Sequence, residues 1–410
     1  MAGQAARSGI HSRDERQGGA RGGASASVPP RIEKRTLGVG VSGIGWCASE
    51  HIKAFLKNPH TEVRLLHGRD ETRVREKLAG NGISLPDARF TKRYEDLLES
   101  DAIDIVSITT PNHLHAGQAV AAARAGKHFV LEKPTALGAR ELAQIRDAVG
   151  KAKVRTIVSF ELHYNPYLRF VHWLRESGRL GRIRFARVQY LSRVTDWYAG
   201  WDWVRKKSSG GSHLLAAGCH AVDALRWCSG LEPVEVSAFH TRFTEGYEWP
   251  TTIAANLKLQ KGAIGHVTSS TDFMLPYTFG VELMGDKATV RDTLVTWHKD
   301  QPLDVDALRA ANPFPEVKLV EGRYGSESPA LRIECLMPDT ADVAHHPFQG
   351  EIDELVEAVR HRRQTHLSVF DAQKTMEVCL AADLSAQKGG RPVRLPLVKP
   401  RSTRKGKGRA

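Results

Sequence analysis

The stretch Phe129-Val-Leu-Glu-Lys-Pro-Thr135 sets a carboxylate and an ammonium at the end of an apolar, β-prone run. Proline fixes its own φ and biases the preceding residue away from the helical region. Lys133 is therefore expected extended at the mouth of a strand, with Lys133–Pro134 a candidate for a cis bond. A lysine held stiffly there can act as an acid–base group; a solvated lysine at a strand end is the plainer alternative. The second such stretch is Ser209-Gly-Gly-Ser-His-Leu-Leu-Ala-Ala-Gly-Cys-His-Ala-Val-Asp-Ala-Leu-Arg-Trp227. Two glycines break the loop and a helix follows. Ala216, His220, Asp223 and Trp227 recur every three or four residues, hence on one helix face. His220, with an ordinary pKa of ~6.5, is a further proton-handling candidate. An ordinary satisfied core pair of His220 and Asp223 is the alternative. Trp197, Tyr198, Trp201 and Trp203 cluster just ahead of the glycines, and His163, Tyr164 and Asn165 come from a strand end expected to approach the same cleft. Aromatic faces with a few polar groups suit a sugar ring; they suit core packing equally well.

The elements around these residues alternate strand and helix at βαβ spacing from Thr36 onward. Strands are expected at Thr36–Val41, Thr61–Leu66, Ile103–Ile108 and Phe129–Leu131, with helices at Glu50–Lys57, Glu71–Ala79, Tyr94–Glu99, His113–Ala125 and Gly138–Val149. This alternation implies a parallel sheet covered by helices, binding its ligands beyond the carboxyl ends of the strands. After Lys151 the pattern changes. A strand Thr156–Phe160 and a helix Tyr167–Ser177 lead into longer strands such as Arg182–Leu191, with apolar residues at every second position in Ile253–Leu259 and Phe279–Leu283. Period two means one face buried and one exposed, as in an antiparallel sheet. Residues 299–342 read as irregular and Pro-punctuated, with no chemistry assigned. Helices are expected at Glu351–Arg360 and from an Asp371 cap to about Ser385.

The first strand runs into Gly43-Ile44-Gly45-Trp46-Cys47-Ala48, a GxGxxA turn. Its first glycine permits the turn, the second lets backbone approach a pyrophosphate, and the small third residue lets helix pack on strand. The second strand ends in His67-Gly68-Arg69-Asp70. An acid here normally binds the ribose of NAD, whereas an arginine accommodates the 2′-phosphate of NADP. Gly68 in the acid's place, with Arg69 beside it, favours NADP; Asp70 serves NAD if the turn shifts by two residues. His345-His346-Pro347 is tempting as a metal pair, but no third ligand has usable spacing, so no metal is expected and the pair reads as the lead-in to the next helix.

The formal net charge is +13 over 410 residues. Residues 1–35 hold seven basic and three acidic side chains, and the last twelve hold six basic and none acidic, leaving only +3 for residues 36–398. Both tails are expected disordered, and the body is not expected to read nucleic acid. No apolar run approaches the ~18 residues of a membrane span, and no secretory core is seen near the start. Five cysteines without CxxC pairing look like reduced thiols of a cytoplasmic protein.

Together, VGVSGIGWCASEH at 39–51, TPNHLH at 110–115, AGKHFVLEKP at 125–134 and the segment at 209–227 resemble the glucose–fructose oxidoreductase / inositol dehydrogenase / rhizopine catabolism (Gfo/Idh/MocA) family. The resemblance covers roughly residues 36–398. It implies an α/β protein, with an N-terminal Rossmann dinucleotide-binding domain and a C-terminal α/β domain built on a large, mostly antiparallel open sheet. The expected divisions are 36–155 for the first, 156–370 for the second, and 371–398 for a helix and strand closing the body, between tails 1–35 and 399–410. The implied cofactor contacts are Gly43, Ile44, Gly45, Trp46, Cys47, Arg69, Thr110, Pro111, Asn112, His115, Glu132 and Lys133. Asn112 and His115 would line the nicotinamide-ribose side, and Lys133 would touch both ribose and substrate. Lys133, His163, Asn165, Tyr198, His220 and Asp223 are the implied substrate contacts, with Lys133 and His220 as the catalytic pair.

Where the family has an aspartate four residues before the histidine, this chain has Ala216. Proton handling then falls to His220 or to Lys133, the lysine if burial and cofactor charge bring its pKa down. The implied activity is NADP- or NAD-dependent oxidation or reduction of a sugar, polyol or sugar derivative, by a homodimer or homotetramer joined through the open sheet. The alternatives are an NAD-dependent glycosidase working by transient oxidation and a non-catalytic sensor.

Overall fold

The computed structural model describes residues 35–273, 277–324, 328–335 and 346–397. The basic tails, Arg35 apart, and His345 lie outside these residues. β1 (Leu37–Ser42) is buried along its whole length, as a strand covered on both faces must be. It is followed by α1 (Trp46–Lys57), β2 (Thr61–His67), α2 (Glu71–Gly80), β3 (Arg89–Thr91), α3 (Glu95–Glu99), β4 (Ile105–Ile108), α4 (Asn112–Arg124), β5 (His128–Leu131), α5 (Ala139–Ala152) and β6 (Thr156–Val158). The six strands form one sheet in the order β3-β2-β1-β4-β5-β6, every pair parallel. Strand order reverses between β1 and β4, which puts the ligand crevice beyond their carboxyl ends. Helix α1 begins at Trp46, a turn earlier than expected, because Gly45 already stands at its N-cap.

Beyond β6 come a 3₁₀ turn at Glu161–Tyr164, α6 (Pro166–Glu176), β7 (Ile183–Leu191), α7 (Trp201–Val204), a π-helical turn at Leu214–Gly218 and α8 (Cys219–Ser229). Then follow β8 (Pro233–Thr241), β9 (Thr252–Leu259), β10 (Ile264–Ser270), β11 (Thr278–Gly285), β12 (Ala288–Arg291), β13 (Leu294–Trp297), α9 (Val305–Ala311), β14 (Val317–Tyr324) and β15 (Ser328–Cys335). The last elements are α10 (Phe348–Arg360), α11 (Val369–Gln387) and β16 (Val393–Arg394). Ten strands make the second sheet, in the order β14-β15-β13-β12-β11-β7-β10-β9-β8-β16. Its β7–β10 pair is parallel and its other pairs are antiparallel. Burial alternates along β9: α8 and α11 cover one face, and Asn256, Lys258 and Ile264 lie exposed on the other.

Two expectations change. The described part of 299–342 is not irregular: it forms α9, β14 and β15, with Leu308, Val317, Leu331 and Ile333 buried. Of its described prolines, those at 302, 313 and 315 fall between elements, where the missing N–H breaks no ladder, and Pro329 stands second in β15, at the strand's start. The last helix starts at Val369 with Ser368 at its N-cap, leaving Asp371 to pair with Arg226 at 3.1 Å. Helix α10 packs on α1 and β5, and α11 on α5, so the chain's last helices return to the first sheet and brace the crevice.

Candidate active site

Gly43 has φ +84°, and a Cβ on it would stand 2.8 Å from Thr110 Cα, so the turn requires glycine. Thr109 Oγ1 locks the turn by donating to Gly43 O at 2.6 Å. Gly45 differs. Its φ is −85°, and a Cβ there would meet Thr109 O at 3.6 Å, an ordinary contact. The chain's own packing tolerates a side chain at 45; the close approach of a phosphate to backbone does not. No side chain caps α1, so its first N–H groups remain available to an anion. Ile44 is half-buried, Trp46 stands exposed beside the turn, and half-buried Cys47 lies within the field of Glu132 and Lys133. Burial first, and then the Glu132 charge, push the Cys47 thiol up. Across the crevice, Thr110 Oγ1 donates to Gln118 Oε1 at 2.8 Å and Pro111 precedes α4. These residues fit a dinucleotide.

At the far end of β2, Asp70 N-caps α2 by accepting from Arg73 N at 3.0 Å. Arg69 is exposed, and Lys92 and Arg93 line an adjoining open groove with Asp70, Thr72 and Phe90. Gly68 does not simply leave room for a phosphate: a Cβ there would meet Val74 Cγ2 at 3.0 Å. Its packing against α2 explains that glycine.

Lys133 stands where β5 ends, and its peptide bond to Pro134 is cis. Its Nζ reaches the carbonyl of Ala216 at 3.5 Å. The position that lacks the family carboxylate thus still meets the lysine through backbone, from the π-helical turn. Burial lowers the Lys133 pKa, but Glu132, Cys47, Tyr190 and Glu161 together outweigh it and hold the ammonium above its ordinary value. The expected fall towards neutrality is not found in the protein alone, because acidic groups surround the amine. Glu132 is buried; it accepts from Lys133 N at 3.1 Å and meets His51 Nε2 at 3.3 Å. Burial would raise its pKa, yet His51 and Lys133 keep it below the usual carboxylate range. Behind it, Ser159 Oγ donates to Glu351 Oε1 at 3.1 Å. Burial, followed by the charges of Glu161 and Glu132, raises Glu351 well above that range. His51 and Glu351 are site residues that sequence reasoning missed, since one reads as helix interior and the other as a first-turn acid.

Two implied cofactor contacts have other work. His115 is buried, with Nδ1 2.7 Å from Pro134 O and Nε2 2.7 Å from Thr110 O. It ties the Lys133 loop to the β4 loop through both ring nitrogens. Asn112 Nδ2 donates to Gly210 O at 2.8 Å, fastening α4 to the glycine break before α8.

His220 is buried, and both its ring nitrogens lack a hydrogen-bond partner. Burial, then the Lys133 charge, lower its pKa well below the ordinary value, so the ring is neutral. Tyr190 stacks on it with centroids 6.0 Å apart. Its Nε2 lies 3.7 Å from Glu161 Oε1, and the same oxygen pairs with His346 Nδ1. Spacing along the chain did not reveal these neighbours of His346. Folding brings Glu161, His220 and His346 together from three distant segments, with one ligand atom of each within 4.8 Å of the others. Tyr198 also belongs here: burial first, then Cys47, keep its hydroxyl protonated.

Three implied substrate contacts are engaged elsewhere. His163 Nε2 meets Asp223 Oδ2 at 2.6 Å, and its ring stacks on Trp227 with centroids 3.9 Å apart. Asp223 Oδ1 accepts from Thr375 Oγ1 at 2.8 Å. Asn165 Oδ1 caps α6, accepting from Tyr167 N at 3.0 Å. A shared helix face put Asp223 beside His220 on paper; the 3₁₀ turn Glu161–Tyr164 and α11 give it closer partners. Trp201 and Trp249 both pack around Tyr247, whereas Trp197 is exposed.

Residues 37–160 match the oxidoreductase family with an NAD-binding Rossmann fold, and residues 168–291 match the GFO/IDH/MocA C-terminal domain. The chain is 35% identical over 145 residues to levoglucosan dehydrogenase of Pseudarthrobacter phenanthrenivorans, covering 34% of this chain and 36% of that one. It is 31% identical over 196 residues to an uncharacterized oxidoreductase of Synechocystis sp., covering 47% and 52% respectively. It thus spans about half or less of these two relatives. With D-xylose 1-dehydrogenase (NADP(+)) 2 of Haloferax volcanii it shares 31% identity over 238 residues, 58% of this chain and 68% of that one. A solved levoglucosan dehydrogenase in complex with NADH and levoglucosan superposes with a TM-score of 0.72 over 88% of this chain and 99% of that one, at 21% identity, a likeness of fold. Matched by family models over residues 37–160 and 168–291, and by a relative at 31% identity, the chain belongs to the Gfo/Idh/MocA family of oxidoreductases.

Proposed function

We propose that the protein is an NAD(P)-dependent oxidoreductase acting on a secondary hydroxyl of a sugar, polyol or sugar derivative. One observation carries the reading: Lys133, at the end of β5 beside the crevice, reaches the Ala216 carbonyl in the turn that leads into α8 and His220, at 3.5 Å. Alcohol oxidation needs a hydride acceptor at one face of the carbon and a base within reach of its hydroxyl. A bound nicotinamide dinucleotide supplies the acceptor. Lys133, kept as an ammonium, donates a hydrogen bond to the substrate oxygen and stabilises charge developing there. Neutral His220, whose ring nitrogens have no protein partner, accepts the hydroxyl proton. Tyr198 and Trp197 offer aromatic surface to a sugar ring, and the Cys47 thiol, being protonated, takes no nucleophilic part. The test is native purification, identification of the retained nucleotide, and a sugar panel read at the nicotinamide absorbance band. No retained or added dinucleotide binding would sink the reading. Aglycone release without net change in that band would replace it with a glycosidase.

NADP is the favoured cofactor. Asp70 is engaged as a helix cap, exposed Arg69 stands beside it, and the Haloferax volcanii relative is named for NADP(+). Arg69→Ala is expected to weaken NADP binding about 10-fold or more, the worth of one charge-assisted hydrogen bond, and to leave NAD within about threefold. Equal losses for the two nucleotides in a fluorescence titration would refute the preference.

Exposed Ile264 and Phe239 support pairing of open sheet faces in a dimer or tetramer, which a monomer in sedimentation equilibrium would refute. Among the described residues no helix is long and apolar enough to cross a membrane. Five unpaired cysteines support a reducing, cytoplasmic location, which recovery of the protein outside the cytoplasm would refute.

A further inference from the structure

We propose that Glu161, His220 and His346 form a binding site for one divalent transition-metal ion, of the Zn²⁺ class, in the wall of the Lys133 cleft. The proposal rests on the oxidoreductase reading only for calling that cleft the active site. Among the described residues this is the one place where three such side chains converge, one ligand atom of each within 4.8 Å of the others. All three are buried, at 2%, 1% and 6% exposure for Glu161, His220 and His346.

The hydrogen bonding of the protein alone does not account for the cluster. His346 Nδ1 pairs with Glu161 Oε1, which leaves Glu161 Oε2 and both nitrogens of His220 buried without hydrogen-bond partners. Buried polar atoms are nearly always partnered, and three orphans in one cluster point to a ligand. His220 Nε2, 3.7 Å from Glu161 Oε1, stands near the ~3.3 Å that separates two donors bound ~2.0–2.1 Å from one tetrahedral ion. The His346–Glu161 contact opens to admit the ion, which takes the place of the proton they share.

Donor chemistry selects the metal. Two imidazoles and one carboxylate suit zinc or iron, and are a poor set for calcium or magnesium, which prefer oxygen. Three protein ligands leave a coordination position open, the arrangement of a catalytic rather than a structural site. Charge is the opposing consideration, because the Lys133 ammonium faces Glu161 and His220. The Glu132 carboxylate, held ionised beside Lys133, offsets the ammonium, so the cleft can carry a second positive centre. An imidazole ligating through Nε2 keeps its proton on Nδ1. His220 then positions the ion and no longer accepts a proton, so metal-loaded and metal-free protein must differ in how they deprotonate substrate.

The test is direct. Full-length protein is stripped with chelator, dialysed and titrated with Co²⁺ alone, following its visible d–d bands, while parallel Zn²⁺-loaded samples are assayed for metal content. The expected result is one ion per chain with the intense bands of a low-coordinate nitrogen–oxygen site. His346→Gln and Glu161→Gln, each checked for native circular dichroism, should weaken Co²⁺ binding more than about 100-fold, beyond the ~10–100-fold that losing an outer-shell partner costs. No stoichiometric Co²⁺ uptake, or uptake unchanged in a folded His346→Gln protein, overturns the proposal. Nucleotide retention is measured on the same samples. Nucleotide bound without metal defeats this site alone, and metal bound without nucleotide defeats the oxidoreductase reading alone.

Discussion

Lys133→Met is expected to lower turnover about 10³-fold while leaving dinucleotide affinity within about threefold. The asymmetry follows from what surrounds the residue. The phosphate end of the cofactor would rest on the glycine turn and the N-terminus of α1, to which Lys133 Nζ makes no hydrogen bond among the described residues. Its ammonium instead points to Ala216 O and acts on His220 from across the cleft. Methionine keeps the apolar stem and removes the donor. The fold should survive, because Glu132 retains His51 and the backbone N–H of residue 133. Transient kinetics and nucleotide titration on one preparation separate the two effects. Abolished nucleotide binding would make Lys133 a cofactor anchor, and near-parent turnover would remove it from the chemistry.

This expectation sits at a stretch whose position the sequence makes legible. A glycine turn, a strand end and an X-Pro step are local devices, each defined by neighbours within a few residues. Gly43, Lys133 and Pro134 accordingly stand where their types place them. The first sheet is legible for the same reason, as apolar runs such as Leu37–Ser42 alternate with helices whose periodicity is evident. The second half of the site is different in kind. Helical spacing tells which residues share a face with His220, but not which elements that face meets. Asp223 meets the 3₁₀ turn after β6 and α11, and a π-helical turn at Leu214–Gly218 alters the phase of the face on which Ala216 was counted. Glu161 and His346 become neighbours only because α10 packs against the 3₁₀ turn after β6. No spacing rule connects residues so far apart in the chain. The electrostatics were partly hidden: Glu132 and Cys47, both within the motifs, do most to hold the Lys133 ammonium up, and Tyr190 and Glu161, which no motif places beside it, add to them.

Asp223 gives the sharpest separation between positioning and substrate contact. Its carboxylate is 3% exposed and serves His163 at 2.6 Å, Thr375 at 2.8 Å and, more distantly, Arg226 at 3.7 Å. Arg226 keeps Glu232 at 2.7 Å and Asp371 at 3.1 Å, so Asp223→Ala does not strand that guanidinium. It does leave His163 Nε2 without its partner and the Thr375 hydroxyl without its acceptor, although Thr375 still accepts from Arg226 Nη1 at 2.6 Å and His163 Nδ1 still meets His366 at 3.2 Å. Removing one partner of a buried pair costs about 3–5 kcal/mol, and the surviving Arg226 contacts favour the lower end. About 3 kcal/mol corresponds to a fall of ~6–12 °C in melting temperature for a domain of this size. Asp223→Asn preserves an acceptor for Thr375 and should lose roughly half as much. The KM for any sugar found active should stay within about threefold in both variants at a temperature where they remain folded. A residue that binds substrate behaves oppositely, with KM rising and melting unchanged. Scanning calorimetry beside steady-state kinetics decides between the two. A tenfold rise in KM at parental stability would return Asp223 to the substrate cleft and require α8 to turn a different face towards Lys133.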